Sequence, residues 1–143
     1  MNQYIKPNLV LPISLHDAVI TSIEIAPATS ELIDGTLTFK FSEGFYLVEE
    51  NKVEVSGEAT LKFTGIDFDF SSVYYCKENE RQEVTFADLA RDANMYRLEV
   101  VDETYGFNQS KFGCSLFKED FIYWVEIEIY HFNETIYEWK NAI

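Results

Sequence analysis

Four residues in one alternating stretch carry the clearest chemical signal in the chain. In Asp120–Phe132, read D-F-I-Y-W-V-E-I-E-I-Y-H-F, the side chains of Trp124, Glu126, Glu128 and Tyr130 share one parity. Phe121, Tyr123, Val125, Ile127 and Ile129 share the other. A period of two puts the two sets on opposite faces of a strand. The first set is then a face of aromatics and carboxylates. Trp and Tyr are common binding anchors, and neighbouring carboxylates suit a basic partner. The competing expectation is that a helix or a second sheet covers this face, because large aromatics are usually buried.

Other residues offer chemistry at less informative spacings. His16-Asp17 pairs an imidazole with a carboxylate, as general acid–base work requires. Adjacent strand residues point to opposite faces, so the sequence favours a polar lead-in to a strand, with Asp17 bonding backbone N–H groups. Asp67 and Asp69, two residues apart on one face, could hold Ca²⁺ or perform glycosidase chemistry with a second acid such as Glu126. No calcium-loop glycine accompanies them, and a solvated strand face is the simpler reading. His16, Cys76, Cys114 and His131 lack the short-spaced pair of a structural zinc site. The six glycines are scattered, and no nucleotide-binding loop, G-x-S-x-G elbow or zinc-enzyme motif is present. The sequence therefore predicts no catalytic residue, no metal and no cofactor.

The charge narrows the partners. The chain of 143 residues has 25 acids against 11 bases, a formal net charge of -14. The acids are spread through both halves and do not form a tail. Such a field repels nucleic acid and anionic lipid, which are bound through Lys and Arg, and it speeds encounter with basic proteins. Solubility alone would explain it equally well. Cys76 and Cys114 read as a reduced pair of small buried hydrophobes, with one disulfide between them as the alternative. The apolar run Leu9–Leu15 is interrupted by Pro12 and is too short for a signal peptide, and no stretch has the length of a membrane span. The expectation is a cytoplasmic protein.

The elements that must position these residues are mostly strands. Aromatics make up 16 % of the chain, which tilts it towards sheet. Residues 1–15 contain Pro7 and Pro12 and read as an irregular arm or edge segment. Val19, Thr21, Ile23 and Ile25 predict one strand. Glu31–Ser42 predicts another, with Ile33, Leu37, Phe39 and Phe41 inward and a bulge at Asp34-Gly35. Phe45–Glu49 is short. Val53–Phe63 alternates throughout, Thr64-Gly65 turns, and Ile66, Phe68 and Phe70 lead a strand that continues over Val73–Cys76. Lys77–Gln82 reads as a loop, and Glu103–Ser110, with Gly106 and Asn108, as a hairpin loop. Tyr96–Asp102 and Lys111–Phe117 precede the Asp120–Phe132 strand, and Thr135–Trp139 follows it. The one helix spans about 86–93: Thr85 is an N-cap, Asp88 stands at the capping-box position, and Phe86, Leu89, Ala90 and Ala93 make an apolar stripe.

The opening S-L-H-D-A-V-I-T-S-I-E-I, followed by a spacer and G-T-L-T-F-K-F, resembles a pattern of small uncharacterised bacterial β-rich proteins, some of immunity-protein type. The resemblance covers the first quarter of the chain and supplies no site residues. It implies a cytoplasmic protein that binds and blocks a toxin without catalysis.

The sequence thus predicts a single domain over residues 1–143. It is mainly β, an antiparallel β-sandwich or partly open barrel of meander type, with about eight to ten strands and one short helix. The leading expectation is a non-enzymatic acidic binding protein, an immunity protein against a basic toxin, using Trp124, Glu126, Glu128 and Tyr130. The alternatives are a small-ligand carrier with an aromatic-lined cavity and a carboxylate-based enzyme acting through Asp67, Asp69 or Glu126. An exposed edge strand would allow a homodimer under any of them.

Overall fold

The computed structural model describes residues 1–27 and 35–142. Among them are β1 (Ile13–Ser14), β2 (Val19–Ile20), β3 (Ser22–Ala26), β4 (Gly35–Phe41), β5 (Tyr46–Glu49), β6 (Lys52–Val55), β7 (Ala59–Ile66), β8 (Ser72–Lys77), β9 (Glu80–Val84), α1 (Phe86–Met95), β10 (Arg97–Gly106), β11 (Gln109–Lys118), β12 (Phe121–Tyr130) and β13 (Thr135–Trp139). They form three antiparallel sheets: six strands in the order β2-β10-β11-β12-β8-β9, four in the order β13-β7-β4-β3, and three in the order β1-β5-β6. The sheets do not close into a barrel.

The long hairpin β11–β12 organises the six-stranded sheet. Its register is unbroken from Gln109 opposite Tyr130 to Lys118 opposite Phe121. Phe112, Cys114 and Leu116 on β11, and Val125, Ile127 and Ile129 on β12, are buried on the inner face. The four-stranded sheet answers with Leu37, Phe39, Phe41, Leu61 and Phe63. Phe39 and Phe63 meet Phe112 edge to face at 5.8 and 5.9 Å. The two larger sheets are therefore a sandwich sharing one aromatic core, in which edge-on rings satisfy the ring quadrupoles. The three-stranded sheet joins at one side through Phe45, which stacks against Phe41, Tyr137 and Trp139.

The helix begins where the sequence places it. The Thr85 hydroxyl accepts from the Asp88 N–H, and the Asp88 carboxylate accepts from the Thr85 N–H, closing the capping box. Leu89 and Ala93 are buried, and Phe86 packs on Phe68. The helix lies against β3, β8 and β10 on the core side. It runs past Asn94 to Met95, two residues beyond the predicted end, and stops where Tyr96 turns extended.

Among the described residues thirteen strands replace the eight to ten expected, because two predicted strands divide and two more form in the predicted arm and loop. The predicted Val19–Ile25 strand breaks at Thr21, where the chain passes from the six-stranded to the four-stranded sheet. Ile20 and Ile23 are both buried, and a straight strand cannot put residues three apart on one face. Val53–Phe63 is cut at Ser56–Glu58: β6 belongs to the three-stranded sheet with Val53 and Val55 exposed, whereas Leu61 and Phe63 of β7 are fully buried. One continuous alternation serves two sheets, so periodicity alone does not reveal the break. Thr64-Gly65 is not a turn but lies within β7. Asp67–Phe70, predicted as strand, is a turn in which the Asp67 carboxylate accepts from the Asp69 and Phe70 N–H groups.

Lys77–Gln82, predicted as a loop, is a hairpin, and the predicted hairpin loop at Glu103–Ser110 is a hairpin with a shorter turn. Lys77–Gln82 holds the ends of β8 and β9 around the two-residue turn at 78–79, with Glu78 at φ 56°. Charge misled the reading there, because exposed edge strands carry charges too. Glu103–Ser110 continues β10 to Gly106 and turns at Phe107 and Asn108, the latter at φ 56°. The meander holds for β10–β11–β12 only, since β2, β4 and β8 find partners distant in sequence. Gly35 does sit at a register shift between β4 and β7, as the bulge predicted, while Glu31–Asp34 lie outside the described residues. The irregular arm is residues 1–12, all exposed; Ile13 and Ser14 join β5 as β1.

Candidate binding face

β12 is an interior strand of the six-stranded sheet, and its two faces have different fates. The inner face meets the four-stranded sheet. The outer face carries Trp124, Glu126, Glu128 and Tyr130, all half-buried. Both the helix and the second sheet pack on the inner side, so among the described residues neither covers this face.

Trp124 is seated on the sheet itself. It stands opposite Ser115 on β11 and leans over the diagonal neighbour, Gly113. A Cβ on Gly113 would fall within the indole ring. The missing side chain is what lets the indole occupy the space directly over Gly113. Gly113 also stands opposite the register shift between Val100 and Asp102 on β10.

The carboxylates are not bare. Arg81 on β9 reaches Glu126 at 2.9 Å, and its guanidinium stacks over Tyr74 at 3.6 Å. Lys111 on β11 lies 3.9 Å from Glu128, which also accepts from the Ser72 hydroxyl at 3.4 Å. On the same face Arg97 pairs with Glu99 at 3.3 Å. The face is a mosaic of ion pairs around aromatic rings rather than a purely acidic patch. Arg81 and Lys111 are 50 % and 43 % exposed, so water competes for these pairs and an incoming cation can exchange with them. Cys76 is also here, its thiol pushed up by partial burial and then by the Glu126 carboxylate, so it stays protonated. It is half-buried on the outer face and Cys114 fully buried on the inner, which corrects the picture of two buried cysteines; both are free.

The other candidates are rearranged. His16 and Asp17 occupy a turn, with Asp17 at φ 67°, and their side chains do meet, at 3.5 Å. The expectation of opposite faces fails because neither residue is in a strand. The His16 Nδ1–H donates to the Val101 carbonyl at 2.8 Å, and this contact, ahead of the nearby carboxylates, raises its pKa. Val101 sits in the β10 register shift, where the ladder leaves its carbonyl free. Asp17 accepts from the Tyr46 hydroxyl at 3.4 Å rather than capping backbone. Asp67 is occupied in its turn. No group of three or more His, Cys, Asp or Glu among the described residues could hold a metal ion.

Two arrangements escaped the sequence reading. The Ser110 hydroxyl donates to His131 Nε2 at 2.9 Å, while His131 Nδ1 donates to the Asn133 carbonyl at 3.1 Å. This resembles a nucleophile–base pair with an orienting acceptor. Ser110 is only 2 % exposed, however, so its oxygen is closed to a substrate and the pair ties the ends of β11 and β12 together. No spacing rule links residues 110 and 131; only strand register does.

The second is Asp92, on the helix and 1 % exposed. It accepts from the Tyr75 hydroxyl at 2.7 Å and lies 3.4 and 3.6 Å from Arg91 and Lys118. Burial, and then the bond to Asp92, holds the Tyr75 phenol protonated far above its ordinary range. A surface cleft of about 320 Å³ opens beside this network, between the β8–β9 hairpin and the helix. Its polar groups are largely spent on one another, so they pin the helix to the sheet. The helix stripe held the signal: Asp92 falls between Leu89 and Ala93 on the side that must be buried.

No family model matches the chain, and no curated protein or solved structure matches it.

Proposed function

We propose that the chain is a non-enzymatic binding protein that docks a basic protein on the outer face of its six-stranded sheet, as an immunity protein docks a toxin. The observation that carries this reading is Trp124, half-buried and packed over Gly113 on a face that no described element covers. A half-buried indole seated in a gap in the sheet surface is a low-entropy anchor of the kind that dominates binding energy. Tyr74 and Tyr130 extend the aromatic area, and Glu126 and Glu128 supply acceptors whose present cations are exposed. The net charge of -14 adds long-range attraction for a cationic partner. The interior, filled by Phe39, Phe63 and Phe112, favours this surface reading over a carrier with an internal cavity.

Affinity capture of a basic protein, followed by titration calorimetry with that protein, tests the proposal. Trp124→Ala should weaken binding by roughly 30-fold or more, the range of an interface hot spot. Glu126→Lys with Glu128→Lys should weaken it further as salt falls. Glu24→Lys, on the opposite sheet, should have little effect. A partner held equally by all three variants overturns the reading.

A further inference from the structure

The three-stranded sheet ends in β6, whose four residues are all exposed, Val53 by 59 % and Val55 by 53 %. Among the described residues β6 pairs only with β5. We propose that this edge pairs with β6 of a second copy of the chain, antiparallel across a two-fold axis at Val53. The inference is independent of the outer-face reading.

Backbone parity carries the first half of the argument. β5 and β6 are joined by the two residues Glu50 and Asn51, so Glu49 and Lys52 close the hairpin as a hydrogen-bonded pair. Alternation then turns the N–H and C=O groups of Lys52 and Glu54 towards β5. Ser56 agrees in phase, its N–H donating to the Phe45 carbonyl at 2.9 Å. Val53 and Val55 are left with their N–H and C=O groups directed outward, along the free edge.

Charge carries the second half. A two-fold axis perpendicular to the sheet must lie between the two strands, midway between one residue and its own copy. Centred on Lys52 it sets lysine beside lysine, and centred on Glu54 it sets glutamate beside glutamate. Centred on Val53 it makes Val53 and its copy a hydrogen-bonded pair. The same register places Lys52 opposite Glu54 of the second copy, twice, in the narrow non-bonded pairs where side chains come closest. The free edge at β9 is a poorer candidate: Glu80, Arg81 and Glu83 shield it, and Arg81 is committed across the sheet to Glu126 and Tyr74, whereas Lys52 pairs only with the exposed Glu54 of its own strand, which the same register can share between copies. Four residues bury less than a stable dimer needs, so association is weak, with a dissociation constant on the order of 10 µM to 1 mM.

Sedimentation velocity from roughly 10 µM to 1 mM protein, in about 0.15 M salt to screen the like net charges, reads it out. The wild-type chain should shift from monomer towards dimer mass over that range. Lys52→Glu and Glu54→Lys should each weaken dimerisation by roughly tenfold, because each turns two attractive cross-strand pairs repulsive. The double variant Lys52→Glu/Glu54→Lys should recover it. Val53→Pro removes an outward N–H that the hairpin itself does not use, and should abolish it. A chain that stays monomeric at the highest concentration, a double variant no better than the singles, or a folded Val53→Pro that dimerises like wild type would each overturn the proposal. Where Val53→Pro loses its circular-dichroism signature, the three charge variants decide alone.

Discussion

Gly113 shows how a single residue shapes the proposed binding face. Adding a Cβ there forces the Trp124 ring off the sheet. Gly113→Ala should cost about 1–3 kcal/mol, the usual penalty of overpacking, and should alter tryptophan fluorescence; chemical denaturation in a Trp139→Phe background, where Trp124 is the one indole, would read both. Asp92 is the second such residue. Asp92→Ala leaves the Tyr75 hydroxyl and the Lys118 ammonium without their buried acceptor, and should destabilise the fold by about 2–3 kcal/mol in urea titration. His16 supplies a pH test. Its folded pKa is raised, first by the Val101 carbonyl, so its favourable interaction is complete below the unfolded value of 6.5. That contribution is lost as pH rises through the folded value. The imidazole should titrate above 6.5 by NMR, and the stability gap between wild type and His16→Ala should narrow from pH 5.5 to pH 8.

At the scale of elements, the helix and the β11–β12 hairpin were the parts best marked in the sequence. The helix carries its own start signal in Thr85 and Asp88, and its stripe shows which side is buried. Thr85→Ala removes one half of the capping box and should cost about 1 kcal/mol by thermal or urea unfolding. The β12 alternation named the inward residues correctly, since Val125, Ile127 and Ile129 are fully buried. Strand ends were less legible. Thr21 and Ser56 lie at points where the chain changes sheet, and nothing in a two-residue period records which sheet a residue joins. The hairpin turn at Glu78 has neither glycine nor asparagine at its positive-φ position, so the turn chemistry that marked the second turn through Asn108 was absent there.

Across the whole molecule, one aromatic core joins two sheets, with a helix and a third small sheet at their sides. Phe112 lies where the larger sheets meet, in contact with Phe39 and Phe63, and is 2 % exposed. Phe112→Ala should cost about 3–5 kcal/mol, among the largest losses for any single change in a calorimetric scan. The amino-acid order by itself determined the fold class, the helix and the two faces of β12, because burial periodicity and capping are local and are written in neighbouring residues. It also placed Trp124, Glu126, Glu128 and Tyr130 on one side of a strand. Only the tertiary structure decided that the helix and second sheet cover one side while no described element covers the other. It alone brought Arg81 to Glu126, Lys111 to Glu128 and Ser110 to His131. Those meetings depend on strand order and register between segments 17 to 45 residues apart, and such pairing is selected by the packing of the whole core rather than by any one stretch of chain.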